Sequence, residues 1–270
     1  VIYAASKLPL YEHTGVAIGG PKNFHKPNGE AFGIEIETVF KNSCPKESLR
    51  NKILFSLWLK DNFPDWIVER DGSLEDGLGK INQSDFKHCC AEIVSPPMSL
   101  DDLNRSLPVI ISQLKKFNAA AQRVGDFFAI HITANIYDKP ALVKMARVVY
   151  DQELSSFWKK VSGRPQSDGF VGSTGKAYCK LLDLRGTSDT DLVDIIMSDH
   201  YRAFFARSSG SAGELRIFQT RINRRYVLDI LELTALLSRF GHSSHDNWLE
   251  FLNNNSSQYL KAYLKECGAL

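Results

Sequence analysis

Five short segments of this chain carry charged or imidazole side chains inside stretches that otherwise alternate like β-strands. They are Glu35-Ile36-Glu37, Asp71-Gly72-Ser73-Leu74, the run from Glu92 to Pro97, His131-Ile132-Thr133 and Glu214-Leu215-Arg216. A charge buried in an apolar strand is costly unless it has a partner. Four carboxylates, one imidazole and one guanidinium directed into a common space suit divalent metals and phosphate. The pattern therefore predicts a charged site built on strands and makes the chain an enzyme candidate.

The segments between and around these motifs predict a mixture of strands and helices. Residues 32–40 alternate strictly, so Ile34 and Ile36 should face the core while Glu35 and Glu37 face the opposite side. Strands are predicted at 32–40, 66–70, 90–94, 127–136, 202–207 and 214–220. Helices are predicted at 45–62, at 140–161 and at 223–266, the last with a break near 241–246. A further helix should follow an N-cap at Ser99, and Pro108 should either kink this helix or mark its true beginning. Such an order favours an α+β fold with a largely antiparallel sheet, one face open to a site and the other packed on helices.

Length and composition indicate one globular domain over residues 1–270. The 270 residues are 43% hydrophobic and 24% charged, and no repeat or long linker divides them. Residues 1–31 should be an irregular N-terminal segment, 163–190 a mixed excursion and 223–270 a helical tail. The net charge of +2 gives no global electrostatic case for binding nucleic acid or membranes.

Two further features of the sequence concern the compartment. No apolar run approaches the roughly 18–20 residues that a membrane span needs, and the first ten residues do not resemble a signal peptide. The five cysteines include no CxxC pair, so neither a zinc ribbon nor a redox pair is supported, and free thiols in a reducing cytoplasm are favoured.

The charged motifs have the residue types of a metal-dependent phosphoryl-transfer site. Glu35 and Glu37 lie two apart and would reach one metal cluster from the same strand. Mg²⁺ prefers hard oxygen ligands, which Glu92 and Glu214 would add from other strands. A guanidinium on the same face as a metal-holding carboxylate suits phosphoryl transfer.

Structural explanations stay open for each of these residues. Glu35 and Glu37 could form the solvated face of an edge strand, and His131 could be a satisfied core histidine. Arg216 could form a purely structural ion pair. Asp71-Gly72 is also explained by a simple turn.

The order of the motifs resembles the amidoligase family, which belongs to the carboxylate–amine ligases related to glutamine synthetase and glutamate–cysteine ligase. The resemblance rests on GIEIE, W…ERDGSL, AEIVSPP, IHIT and YRAFF…GELRIFQT, in that order from about Phe32 to about Thr220. It implies a glutamine-synthetase-like catalytic fold, in which a curved, mainly antiparallel sheet holds ATP and metals on its concave face and helices pack on the convex face. It also implies ATP-dependent amide or peptide bond formation, in which an amine displaces phosphate from an acyl phosphate.

The resemblance further implies roles for individual residues. The metal ligands for Mg²⁺, with Mn²⁺ as an alternative, would be Glu35, Glu37, Glu92, His131 and Glu214. Arg216 would steady the transferring phosphoryl group of ATP, Arg202 would contact phosphate or the substrate carboxylate, and Glu214 would act in catalysis with them. Asp71 and Ser73 would lie at the substrate end of the cleft. The substrates would be the carboxylates and amines of amino acids, peptides or proteins, without nucleic acid or membrane, and oligomeric assembly is left open.

The chain departs from the family at two places. Many members carry His-x-His on the central strand, whereas His131 is flanked two residues away by Ala129 and Thr133. Residues 163–190 resemble a family-variable insertion. The residues there that could shape a substrate mouth are Lys176, Tyr178, Lys180 and Arg185.

Three alternatives to a ligase remain from the same residues. A degenerate member would bind nucleotide or a partner protein without turnover, which the single histidine favours. A phosphotransferase on the same fold would release a stable phosphoramidate. A two-metal nuclease would use clustered carboxylates for phosphodiester cleavage.

Overall fold

The alternating segments form one large antiparallel sheet in the computed structural model. The structure describes residues 18–19, 30–70, 74, 84–120, 128–136, 138–163, 170–171, 177–178, 184, 186–198, 202–206 and 212–270. The strands are β1 (Ile18–Gly19), β2 (Phe32–Phe40), β3 (Ile67–Glu69), β4 (Cys90–Val94), β5 (Ala119–Ala120), β6 (Ala129–Asn135), β7 (Phe170–Val171), β8 (Ala177–Tyr178), β9 (Phe204–Ala206) and β10 (Ala212–Gln219). The large sheet has the order β1-β3-β4-β2-β6-β10-β9, with β5 also paired to β2, while β7 and β8 form a separate pair. Every pairing is antiparallel, which confirms the predicted α+β class with an antiparallel sheet.

Eight α-helices lie within the described ranges. They are α1 (Pro45–Asn62), α2 (Leu100–Lys116), α3 (Lys139–Tyr150), α4 (Ser155–Val161), α5 (Asp189–Ser198), α6 (Arg224–His242), α7 (Trp248–Asn255) and α8 (Gln258–Glu266), and a short 3₁₀ helix spans Ser84–Cys89. Among these helices none is long and apolar enough to cross a membrane.

The helix predictions are confirmed for α1 and for the beginning of α2. Ser99 caps α2 by accepting the Asp102 backbone N–H at 3.1 Å. The helix continues through Pro108, so this proline does not mark its beginning.

The single helix predicted at 140–161 is wrong, because two helices separated at residues 151–154 occupy this stretch. Asp151 Oδ1 accepts the Glu153 backbone N–H at 2.8 Å, and this local turn competes with helical hydrogen bonding. Helix α5 was not predicted. Its signal is a Ser188 hydroxyl that accepts the Asp191 N–H at 3.2 Å and so caps the helix.

One face of the large sheet is apolar and covered by helices. Ile34 and Ile36 of β2, Ile93 of β4, and Ile130 and Ile132 of β6 are fully buried. They share one hydrophobic core with apolar side chains of α2, α3 and α6. The predicted orientation of β2 is therefore confirmed, and the opposite face is left for the charged side chains.

The opposite face carries a small second core at one end. Val39 of β2 and Cys90 of β4 pack there with Leu74, Cys89 and Phe128, all essentially inaccessible to solvent. Burial raises the pKa of the Cys89 thiol to about 11, which keeps it in the unreactive thiol form. The described cysteines, Cys44, Cys89, Cys90 and Cys267, are thiols outside any disulfide.

Several sequence predictions fall outside the described residues. They concern most of the N-terminal segment 1–31, the turn and substrate residues Asp71, Gly72 and Ser73, and most of the 163–190 excursion, including Lys176, Lys180, Arg185 and the side chain of Tyr178.

A candidate metal centre on the sheet

His131 lies at the centre of a group of carboxylates on the face of the sheet opposite the helices. It is directly opposite Glu35 in the pairing of β2 with β6, and only 3% of its surface is exposed. Its Nδ1 is 3.2 Å from Glu35 Oε2 and 3.9 Å from Glu214 Oε1. Its Nε2 is 3.6 Å from Glu37 Oε1. The two ring nitrogens therefore face carboxylates on two different sides.

These side chains form two overlapping sets of possible metal ligands. One set is Glu35, His131 and Glu214, and the other is Glu37, Glu92 and His131; in each set the ligand atoms lie within 4.8 Å of one another. The five residues together are called the His131 cluster below. They come from β2, β4, β6 and β10, which are four consecutive strands in the sheet. Since β2 lies between β4 and β6, Glu35 and Glu37 are not on an edge strand.

Glu37 sits where two strands separate. Strand β2 pairs with β6 as far as Ile36 and then with β5 from Val39 onward. The Glu37 carboxylate fills this gap, where its Oε2 accepts the Ala129 backbone N–H at 2.6 Å. One carboxylate oxygen is thus fixed by the backbone, and the other is directed towards His131.

Glu92 belongs to a row of three carboxylates that crosses three strands. It is directly opposite Glu37 on β2 and directly opposite Glu69 on β3. Sequence reasoning missed Glu69 as a candidate site residue. The signal was present, because the predicted strand 66–70 with Val68 in the core places Glu69 on the charged face.

Glu214 and Arg216 form an ion pair on β10, beside His131. Arg216 Nη1 donates to Glu214 Oε1, which is the oxygen nearest His131. A register irregularity between Leu215 and Phe218 interrupts the pairing of β10 with β6 at this point. On its other side, the Arg216 backbone N–H donates to Ala203 O at 2.9 Å. The bulge leaves the guanidinium next to the carboxylate while the strand continues into the core.

Solvent reaches the cluster at Glu35, Glu92 and Arg216, which are all partly exposed. The side chains of Glu35 and Arg216 are 19% and 20% exposed, whereas those of Glu37, His131 and Glu214 are 7%, 4% and 2% exposed. A ligand arriving from solvent would therefore meet the three partly exposed side chains before the three buried ones.

The remaining predicted site residues are Arg202, Asp71 and Ser73. Arg202 is half-buried and lies just before β9, separated from it by a bend at Ala203. Asp71 and Ser73 lie outside the described residues. Leu74, which follows Ser73 directly, packs with Val39 and Cys90. Val39 and Cys90 are two residues from Glu37 and Glu92 along their strands and therefore lie on the same face of the sheet.

The donor set of the His131 cluster fits a divalent cation. Carboxylate oxygens are the ligands that Mg²⁺ and Mn²⁺ take in proteins, and an imidazole nitrogen suits Mn²⁺ and other transition metals better than Mg²⁺. The hydrogen bond from Ala129 fixes Glu37 in the way that backbone groups commonly orient ligating carboxylates. The arrangement can hold cations below a partly exposed guanidinium.

In comparisons with known proteins, no family model matches the chain, and no curated protein matches it in sequence.

Proposed function

We propose that this protein is an ATP- and Mg²⁺-dependent carboxylate–amine ligase that forms an amide or peptide bond through an acyl phosphate. The observation that carries the proposal is the His131 cluster, in which four carboxylates from three strands surround one buried imidazole beside the Glu214–Arg216 pair. The order of the sequence motifs, which resembles the amidoligase family, supplies the reaction type. Mn²⁺ is the alternative cation because of the imidazole.

The fold proposed with this function is the glutamine-synthetase-like catalytic fold. It is supported by an antiparallel sheet with an apolar helix-covered face and a charged face, and by the central position of β2 and β6. Likeness of fold alone would not establish a reaction. The proposal therefore depends on the side chains of the charged face.

Each residue of the charged face has a distinct part in the proposed reaction. Bound Mg²⁺ would neutralise phosphate charge and make the terminal phosphoryl group of ATP more electrophilic. Glu37, fixed by Ala129, and the buried Glu214 would keep the ligand oxygens in place without rearrangement. Arg216 would donate hydrogen bonds to the oxygens of the phosphoryl group as this group moves from ATP to the substrate carboxylate.

Arg202, Asp71 and Ser73 complete the proposal from the sequence resemblance. Arg202 would bind phosphate or the substrate carboxylate, and Asp71 and Ser73 would bind the substrates at the far end of the cleft. The substrates are the carboxylates and amines of amino acids, peptides or proteins.

The test is incubation with ATP, Mg²⁺ and a pool of amino acids and short peptides, followed by measurement of ADP, phosphate and product mass. We expect ADP release that requires both an acid and an amine, with a product lighter by one water than its summed reactants. Hydroxylamine should trap the acyl phosphate. Glu35→Gln should lower the rate about 10²–10³-fold. Glu232→Gln should not, because it changes a carboxylate of α6 that is outside the His131 cluster.

ADP release that requires the amine alone and yields a stable phosphoramidate would replace the ligase with a phosphotransferase. Loss of DNA or RNA with metal and without ATP would replace it with a nuclease.

The second candidate function is nucleotide binding without turnover. One observation favours it, because neither Ala129 nor Thr133 supplies the second imidazole that many relatives of the resembling family carry beside the central histidine. Saturable ATP binding with no ADP release across the whole substrate pool would favour this candidate. Turnover with any acid and amine would exclude it.

A further inference from the structure

The hydroxyl of Tyr150 holds both backbone groups of one residue on strand β9. Tyr150 is the last residue of α3 and is 3% exposed. Its hydroxyl accepts the Phe204 backbone N–H at 3.0 Å and donates to the Phe204 carbonyl at 2.7 Å. Strand β9 is the last strand of the described sheet. A single phenol therefore takes the place that a further strand would occupy beside Phe204.

Phe204 in turn contacts the strand that carries Glu214 and Arg216. It is directly opposite Leu215 in the pairing of β9 with β10. Its ring fills the space above Gly213, where an added Cβ would lie only 2.4 Å from Phe204 Cζ. Gly213 is thus required by the close approach of this ring. Phe204 is fixed by Tyr150 on one side and presses on β10 on the other.

The residue that precedes β9, Ala203, completes the connection to the site. Ala203, adjacent to Phe204, accepts the Arg216 backbone N–H at 2.9 Å. This bond lies within the register irregularity of β10, where the ladder to β6 is interrupted. The position of Arg216 therefore depends on β9 more than that of a residue paired regularly on both sides.

We propose that Tyr150 is a positioning residue for the Glu214–Arg216 pair and acts through the backbone of Phe204 and Ala203. The proposal rests on the proposed function in one respect, since Glu214 is taken as a metal ligand. Tyr150 itself contacts neither the cation nor the substrate. Its removal should loosen β9, and with it the bulged part of β10.

The first test compares Tyr150→Phe with Tyr263→Phe in binding of Mn²⁺. Tyr263 is a matched control, because it is also a buried tyrosine whose hydroxyl donates to a carbonyl at 2.7 Å, that of Val161 outside the sheet. Both variants should lose thermal stability. Only Tyr150→Phe should weaken Mn²⁺ binding, by about tenfold, as residues that orient metal ligands commonly do. Equal Mn²⁺ affinity in the two variants would overturn the proposal.

A double variant tests whether Tyr150 acts through Glu214. Tyr150→Phe should weaken Mn²⁺ binding in the wild-type background but add less than twofold in the Glu214→Gln background. Independent, additive losses would mean that Tyr150 affects the cluster by another route and would overturn the proposal.

Hydrogen exchange of backbone amides tests the positioning role of Tyr150 independently of metal binding. In Tyr150→Phe the amides of Phe204 and Arg216 should exchange at least about tenfold faster, while that of Ile36 in β2 stays protected. Unchanged exchange at Arg216, or an equal increase at Ile36, would overturn the proposal. If wild-type protein binds no Mn²⁺, the proposed function fails, and the exchange result at Arg216 still decides the role of Tyr150.

Discussion

Replacing Glu37 by Gln and by Ala should change the stability of the metal-free protein by different amounts. Glu37 Oε2 accepts the Ala129 N–H at 2.6 Å, and its other oxygen lies 3.6 Å from His131 Nε2. Gln keeps an oxygen for Ala129 and removes the negative charge. Ala removes both, and it leaves a buried N–H without its acceptor.

The magnitudes follow from the distances in the cluster. Ligand atoms of Glu37 and Glu92 lie within 4.8 Å of each other, and two like charges at that distance repel by about 3 kcal/mol at an effective dielectric constant of about 20. The contact of Glu37 with the His131 ring offsets part of this. We therefore expect Glu37→Gln to be up to about 2 kcal/mol more stable than wild type without metal. Glu37→Ala also removes the repulsion, but it should be about 1–3 kcal/mol less stable than Glu37→Gln, the cost of an unsatisfied buried N–H.

The assay is urea unfolding of each variant with EDTA and with Mn²⁺. Wild type should gain about 2.7 kcal/mol at a Mn²⁺ concentration of 100 times Kd, and Glu37→Gln should gain little. Glu232→Gln is the control, because Glu232 also accepts a backbone N–H, from Ser257 at 2.7 Å, but lies outside the cluster. It should keep the full Mn²⁺ response.

The reasoning is refuted if Glu37→Gln loses as much stability as Glu37→Ala and keeps the Mn²⁺ response of wild type. Glu37 would then serve only as a hydrogen-bond acceptor for the backbone.

Three further predictions follow from other parts of the chain. Burial raises the pKa of Asp229 to about 6, against opposition from Arg225, so its ionisation costs stability above pH 6, and this cost declines as pH falls from 6 towards 3.8. Relative to Asp229→Asn, the wild-type free energy of unfolding should therefore rise by about 1.4 kcal/mol between pH 7.5 and pH 5 in urea titrations; a constant difference would contradict this. Arg216→Ala should lower turnover more than ATP affinity, because its charge acts mainly as the phosphoryl group moves; an equal loss in both, measured by steady-state kinetics and calorimetry, would count against that role. Gly213→Ala should destabilise by about 1–3 kcal/mol, because its Cβ would lie 2.4 Å from Phe204 Cζ; an unchanged urea midpoint would show that the ring moves aside freely.

The parts of the fold that were predictable are those that local periodicity determines. Strict alternation in 32–40 predicted both the strand and its buried face, and β4 and α1 begin and end where expected. Charged residues on the polar side of alternating strands also predicted which side chains would share a face. The sequence of a strand determines which of its side chains share a face, but it does not determine which other strands lie beside it.

The parts that were not predictable depend on pairing between distant segments. Glu69 becomes part of the acidic row only because β3 pairs with β4 in a register that aligns it with Glu92. Glu37 is fixed by Ala129 only because β2 and β6 separate there. Likewise, the bulge at Arg216 is a feature of the β10–β6 pair rather than of either sequence. The loss of helix at Asp151 reflects a side-chain hydrogen bond that apolar spacing does not reveal.

The charge of the His131 cluster is difficult to explain by stability alone. The His131 cluster gathers four carboxylates around one imidazole, and the Arg216 guanidinium pairs with one of them, Glu214. Glu37 and Glu214 are almost wholly buried, and apolar residues of similar size are often more stable than buried charges. A cluster that folding does not require is characteristic of a functional site. Divalent cations bound at the cluster would supply the positive charge that a triphosphate requires.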